Sequence, residues 1–177
     1  MGESRMQRTP SQTIGPFFHE ALRWRDGGNV AFAEGGKRIV LTGRIVDGAG
    51  DPVGEALLET WQHSAKGSTP SSAAGSTNPN GFGRVETAKD GTFRIETSMP
   101  GGDVPGIDIA LFARGLLKPL RTRVYLAPEE EVRRDPMMSP LASSPRLKTL
   151  VATATGEGEF RWDVRLQGEG ETVFFAF

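Results

Sequence analysis

The sequence has no cysteine, a single tyrosine (Tyr125) and two histidines (His19 and His63) in 177 residues. The absence of cysteine excludes disulfides, zinc knuckles and thiol nucleophiles. Redox metals and zinc usually take imidazole or thiolate ligands, and two histidines without ligand spacing supply little for either. The lone tyrosine falls inside a predicted strand, where it reads as a half-buried structural residue rather than a tyrosinate. The chain is therefore not expected to build a His, Cys or Tyr metal centre of its own. Basic excess is also missing. Lys and Arg number 21 against 22 Asp and Glu, a net charge of -1, so there is no surplus to neutralise phosphate and nucleic acid is not an expected partner. The apolar runs are far shorter than the ~20 residues that cross a bilayer. Met1 to Met6 lacks a signal-peptide core, and Met6 stands where myristoylation needs Ser or Thr. The expectation is a soluble, cytoplasmic chain with no membrane partner.

Glycine (23) and proline (12) recur at short intervals, and the segments between them are rich in Val, Ile, Leu, Thr and Phe. That pattern predicts many short strands in one mainly β domain. Strands are expected over Arg38 to Asp47, Ala56 to His63, Thr92 to Thr97, Ile107 to Ala113, Arg121 to Leu126, Glu159 to Leu166 and Thr172 to Phe177. Phe160 to Leu166 alternates strictly, so Arg161, Asp163 and Arg165 share the wet face. Ile39-Val40-Leu41 and Ala110-Leu111-Phe112-Ala113 are apolar at every position, which suits a sheet covered by a second sheet. Asp47-Gly48-Ala49-Gly50-Asp51-Pro52 and Asp90-Gly91 carry turn chemistry. A short helix is expected from Ser144, a possible N-cap, with Pro145 at the first helical position. Gly67 to Gly83 is polar and small and reads as a long surface loop.

Searches for chemistry on the chain itself find little. Glu129-Glu130-Glu131 with Arg133-Arg134 reads as a solvated face rather than a carboxylate metal site. Neither Gly-x-Ser-x-Gly nor a phosphate-cradling glycine motif occurs. Two features stand apart. Thr9 to His19 holds two prolines, a glycine and paired phenylalanines, which suggests an ordered extended arm that packs either on its own domain or across a subunit boundary. Arg114 places a cation where a strongly apolar strand ends, either solvated or as a clamp for a carboxylate.

With the ending Leu166 to Phe177, these features make the sequence resemble the α subunits of the protocatechuate 3,4-dioxygenases, in the intradiol ring-cleavage dioxygenase family. The resemblance covers nearly the whole chain. It is carried by the Thr9 to Pro16 arm, Gly43 to Gln62 with Trp61-Gln62, Gly81-Phe82-Gly83-Arg84, Ile109 to Gly115, Thr122-Arg123-Val124-Tyr125 and the C-terminal stretch. Gly43 to Val53 alone is less specific, being similar to many prealbumin-type β modules. The resemblance implies a prealbumin-like two-sheet β-sandwich with an extended N-terminal arm and one short helix. Residues 1–37 would form the arm and a lead-in that contacts a partner subunit, and residues 38–177 the intradiol dioxygenase-like sandwich. The stretch between Phe32 and Arg38 looks shorter than in relatives.

The implied function is that of an α subunit whose partner, the protocatechuate 3,4-dioxygenase β subunit, carries the Fe(III) on two tyrosines and two histidines. Laid on this sequence, the first tyrosine position looks like Thr69 and the His-x-His pair looks like Gly106 and Asp108. No tyrosine occurs between Phe93 and Asp108, so all four ligands are missing. Ferric iron binds the two catecholate oxygens and makes the ring reactive toward O2. Protocatechuate, 3,4-dihydroxybenzoate, would thereby be cleaved to 3-carboxy-cis,cis-muconate. Arg114 matches the candidate partner of the substrate carboxylate, and Thr13, Gly15, Pro16 and Phe17 match the arm that lines the pocket opposite the iron. A non-catalytic prealbumin-like binding module is the alternative; it accounts for Gly43 to Val53 but not for the arm, Arg114 or the C-terminal ending.

Overall fold

The structure, a computed structural model, describes residues 22, 26–30, 36–63 and 81–176. Two sheets organise them. The six-stranded sheet contains β1 (Asn29–Val30), β2 (Arg38–Val46), β5 (Thr92–Ser98), β8 (Thr153–Gly156), β9 (Glu159–Arg161) and β10 (Val164–Arg165). Its order is β1-β5-β2-β9-β8, with β10 also on β2. The four-stranded sheet is antiparallel, in the order β4 (Phe82–Glu86), β3 (Leu57–Trp61), β6 (Gly106–Phe112), β7 (Leu120–Tyr125). The mainly β, two-sheet sandwich expected from the sequence is what forms.

The pleat explains the layering. Along β2, Ile39, Leu41, Gly43 and Ile45 are buried while the alternate residues are partly exposed. Those side chains meet Leu58, Ile107, Ile109, Leu111 and Val124 from the opposite sheet, and Phe93 and Ile95 complete the layer. Val40 is only half-buried, so β2 has one covered face, not two. In β6 both faces are largely covered, because Ala110 is buried as well as Ile109 and Leu111. A second cluster explains that cover: Tyr125, Val132, Met138, Leu147, Leu150 and Val173 pack together beside the four-stranded sheet.

The segment supplying the second cluster contains a helical turn, α1 (Glu129–Val132), and two 3-10 helices, Pro136–Leu141 and Pro145–Leu150. Helical structure thus exceeds the one short helix expected. That helix is present where Ser144 predicts it, the Ser144 side chain accepting from the Arg146 amide. The stretch Glu159 to Leu166 keeps one register along β2 but is interrupted at Trp162-Asp163, where the Asp163 carboxylate takes the Arg44 amide. Of the strand expected over Thr172 to Phe177, the described residues form a single bridge, from Phe175 to Arg121. In the lead-in before residue 38, β1 pairs in parallel with β5.

Candidate functional site

Cross-strand register places a polar group on the outer face of the four-stranded sheet. Gly106 lies opposite Tyr125, and Asp108 lies opposite both Trp61 and Arg123. Residues directly opposite share a face, so Asp108 and Arg123 are side by side. The Arg123 Nη1 atom donates to Asp108 Oδ1 at 3.2 Å, and the guanidinium carbon sits 5.3 Å from the Tyr125 ring centroid. The Arg123 side chain is only 11% exposed, which makes it a largely buried cation held by one carboxylate and one aromatic face.

Glycine at 106 is what admits this cation. A Cβ there would lie 2.6 Å from Arg123 Nε and 3.2 Å from Tyr125 Cδ1. The Tyr125 side chain is fully buried and its hydroxyl donates to Asp135 Oδ2 at 2.7 Å. Burial, and then that hydrogen bond, push the phenol well above its ordinary range. Tyr125 is therefore a neutral donor, more buried than the half-buried strand residue the sequence suggested. His63, Arg123, Arg134, Asp135 and Met137 contribute to a cleft of about 660 Å³ beside this group.

These residues do not fit a ferric ion. Among the described residues no three His, Asp or Glu side chains come together to hold a metal. His63 Nδ1 is shielded and has no hydrogen-bond partner, Asp108 is engaged by Arg123, and the Tyr125 hydroxyl is engaged by Asp135. Of the positions the sequence aligns with iron ligands, Gly106 and Asp108 stand two residues apart on the same face of β6, while Thr69 lies outside the described residues.

Arg114 is elsewhere. It follows β6 at the opposite end from Gly106, in a turn closed by the Leu116 amide on the Ala113 carbonyl. Six residues of extended chain separate it from Asp108, about 20 Å at ~3.3 Å per residue. Its side chain is 58% exposed and pairs with Glu55 across 3.4 Å. The other candidates, Thr13, Gly15, Pro16 and Phe17, lie outside the described residues. Sequence reasoning did not single out Arg123. Its signal was opposite charge at cross-strand positions 108 and 123, readable only once the register is known.

The outer-face arrangement can be compared with known proteins. A family model described as Dioxygenase matches residues 14–106. The chain is 34% identical to the protocatechuate 3,4-dioxygenase alpha chain of Pseudomonas putida, over 97% of this chain and 98% of that one. The chain belongs to the protocatechuate 3,4-dioxygenase α-chain family, within the intradiol dioxygenases. Members of that enzyme class are oxidoreductases. The beta chain of the same enzyme from Burkholderia cepacia is also similar, 31% identical over 77% of this chain and 67% of that one. An intradiol ring-cleavage dioxygenase from Tetranychus urticae shares the fold, with a TM-score of 0.58 at 17% identity, covering 90% of this chain and 94% of that one. No helix among the described residues is long and apolar enough to cross a membrane.

Proposed function

We propose that this chain is a metal-free subunit that completes the active site of an iron-bearing protocatechuate 3,4-dioxygenase β chain. The substrate would be 3,4-dihydroxybenzoate, cleaved with O2 to 3-carboxy-cis,cis-muconate. The observation that carries the reading is the Arg123 guanidinium packed against Gly106 and Asp108. A permanent cation at that place repels a metal ion and occupies the room that a larger side chain at 106 would need. The similarity to both an α and a β chain supports a hetero-oligomer of related sandwiches.

The contribution of this chain to catalysis is then binding and orientation. Arg114 is presented to solvent on a turn rather than buried within the sandwich, as a group serving a neighbouring subunit's pocket must be. Its planar guanidinium can take the ring carboxylate in a two-point contact, which fixes how the ring enters. In the same reading, residues 1–37 form the arm and lead-in that reach the partner, residues 38–177 are the sandwich, and Thr13, Gly15, Pro16 and Phe17 close the pocket wall. The Fe(III) belongs to the β chain. Family membership leaves the alternative of a non-catalytic prealbumin-like module without an observation in its favour.

The test is Arg114→Ala in the αβ complex, assayed with 3,4-dihydroxybenzoate and with catechol, which lacks the carboxylate. A charge-assisted contact of ~1.5–3 kcal/mol corresponds to about a 10- to 150-fold loss in kcat/KM for the carboxylated substrate. Catechol should lose less than about twofold. Equal losses with both substrates remove the carboxylate-binding role.

A further inference from the structure

The outer face of the four-stranded sheet carries a second concavity, a groove of about 350 Å³ that adjoins the Asp108–Arg123 pair. Register assembles it. Ala110 stands opposite Arg121 and two residues from Asp108, so all three side chains emerge on that face, and the alanine leaves room between its neighbours. Trp61, opposite Asp108 on the other side, forms one wall and is braced by Phe82 at 5.0 Å between ring centroids. Phe175 and Met137 line the groove as well. Their backbones are anchored: the Phe175 amide donates to the Arg121 carbonyl at 2.7 Å, and the Met137 amide to Asp135 Oδ1 at 2.9 Å. Two independent observations mark the groove as a place for a ligand. Met137 is 56% exposed, one of two large apolar side chains left so open among the described residues. Arg121 is exposed, and among the described residues no carboxylate pairs with its guanidinium, whereas Arg84 and Arg123 on the same face each hold one.

We propose that this groove binds a para-hydroxylated aromatic carboxylate, with the ring over Ala110 between Trp61 and Phe175, the carboxylate on Arg121 and the hydroxyl donating to Asp108. Asp108 and Arg121 lie diagonally across the β6–β7 ladder, about 7–8 Å apart, a span that the two ends of one para-substituted ring bridge. The cation at one end suits a carboxylate and the anion at the other suits a hydroxyl donor. Asp108 already accepts from Arg123, yet its side chain is 49% exposed and a carboxylate offers about four acceptor positions. An aliphatic acid would leave the Trp61 and Phe175 faces without a stacking partner, and a phosphate would meet the Asp108 charge. The volume is that of a small-molecule site for a single ring. The inference stands apart from the reading of Arg114, since it concerns one face of this chain and needs no iron.

The experiment titrates the full chain with 4-hydroxybenzoate, followed by calorimetry and by tryptophan fluorescence. Wild type should bind one ligand per chain and lose fluorescence as it does so. Trp61→Phe keeps an aromatic wall, so it should keep the calorimetric binding and lose the quenching. Arg121→Ala removes an exposed side chain and puts folding at little risk; it should weaken binding about three- to tenfold, between the limits for an exposed and a shielded charge contact. With 4-hydroxybenzyl alcohol, which lacks the carboxylate, binding should be weaker and the same in wild type and Arg121→Ala. In the αβ complex Arg121→Ala should leave turnover of 3,4-dihydroxybenzoate unchanged. Three results overturn the proposal: no saturable binding of 4-hydroxybenzoate by the wild-type chain, binding that Arg121→Ala leaves unaltered, or a loss of turnover in Arg121→Ala, which would make Arg121 part of the shared active site. None of them bears on Arg114, whose reading is decided by the comparison of carboxylated and uncharged substrates.

Discussion

Replacing Gly106 with alanine is the most direct probe of how the outer face is packed. Its φ does not lie in the left-handed region, so the backbone accepts alanine and only the space around the new methyl group matters. That group would approach Arg123 Nε to 2.6 Å and Tyr125 Cδ1 to 3.2 Å, both inside ordinary contact distance. Arg123 cannot swing aside freely, since Asp108 holds its end and the Tyr125 ring lies beneath it. Tyr125 cannot yield either, because its hydroxyl is tied to Asp135. Overpacking of this kind costs ~1–3 kcal/mol, against which the lost freedom of glycine in the unfolded chain returns ~0.4–1 kcal/mol. The net is about 1–2 kcal/mol, or a fall in Tm of about 2–8 °C for a domain of this size. Calorimetry of Gly106→Ala, Arg123→Ala and the double variant forms the cycle. With Arg123 shortened, the alanine should be neutral or slightly stabilising, giving a coupling of at least ~1 kcal/mol. An equal Tm change in both backgrounds refutes the account of why glycine stands at 106.

Tyr125 is the chain's sole tyrosine, so the pH-dependent rise in absorbance at 295 nm, above the constant absorbance of the three tryptophans, reports its ionisation. Its pKa is raised above the ordinary 10.0 in the folded state, so the stability it contributes is complete below that pH and is lost as pH rises through the folded value. Native protein should show no tyrosinate at a pH where the urea-unfolded chain is already ionised; coincident titrations of the two states contradict the buried hydrogen bond. Gly43→Ala should be far more damaging than Gly106→Ala, because its Cβ would fall 1.9 Å from the Trp162 carbonyl oxygen and 2.5 Å from Phe93 Cζ. A loss of more than about 3 kcal/mol or failure to fold is expected in urea titrations, and a shift below 1 kcal/mol would show that β2 and the Trp162 segment separate easily.

The parts of the fold that were legible in the sequence are those where burial imposes a period. Arg38–Val46, Thr92–Ser98 and Leu120–Tyr125 were each located within a residue or two at either end, and the Asp47 and Asp90 turns form as their side chains dictate. Phe82–Glu86 was hidden because it directly follows a polar stretch and because its Gly83 looks like a loop residue. In the structure Gly83 is buried in close contact with Val30 and Thr60, where no larger side chain fits. Thr153–Gly156 is exposed throughout and so carries no alternation to read. The run at Glu129 to Glu131 looked like charge alone, yet it opens a helical turn whose Val132 is fully buried. At the candidate site, Arg114 was visible by its contrast with an apolar strand. Arg123 was not, since its importance lies in a cross-strand partner about fifteen residues away in sequence.

Iron content compares the central claim with its opposite most simply. The chain purified alone after growth in iron, and the complex co-purified with the neighbouring β chain, are assayed for iron by plasma mass spectrometry and for visible colour. The account predicts no stoichiometric iron, no colour and no turnover for the chain alone, and one coloured ferric ion per αβ pair in the active complex. Stoichiometric iron on the chain alone would contradict it.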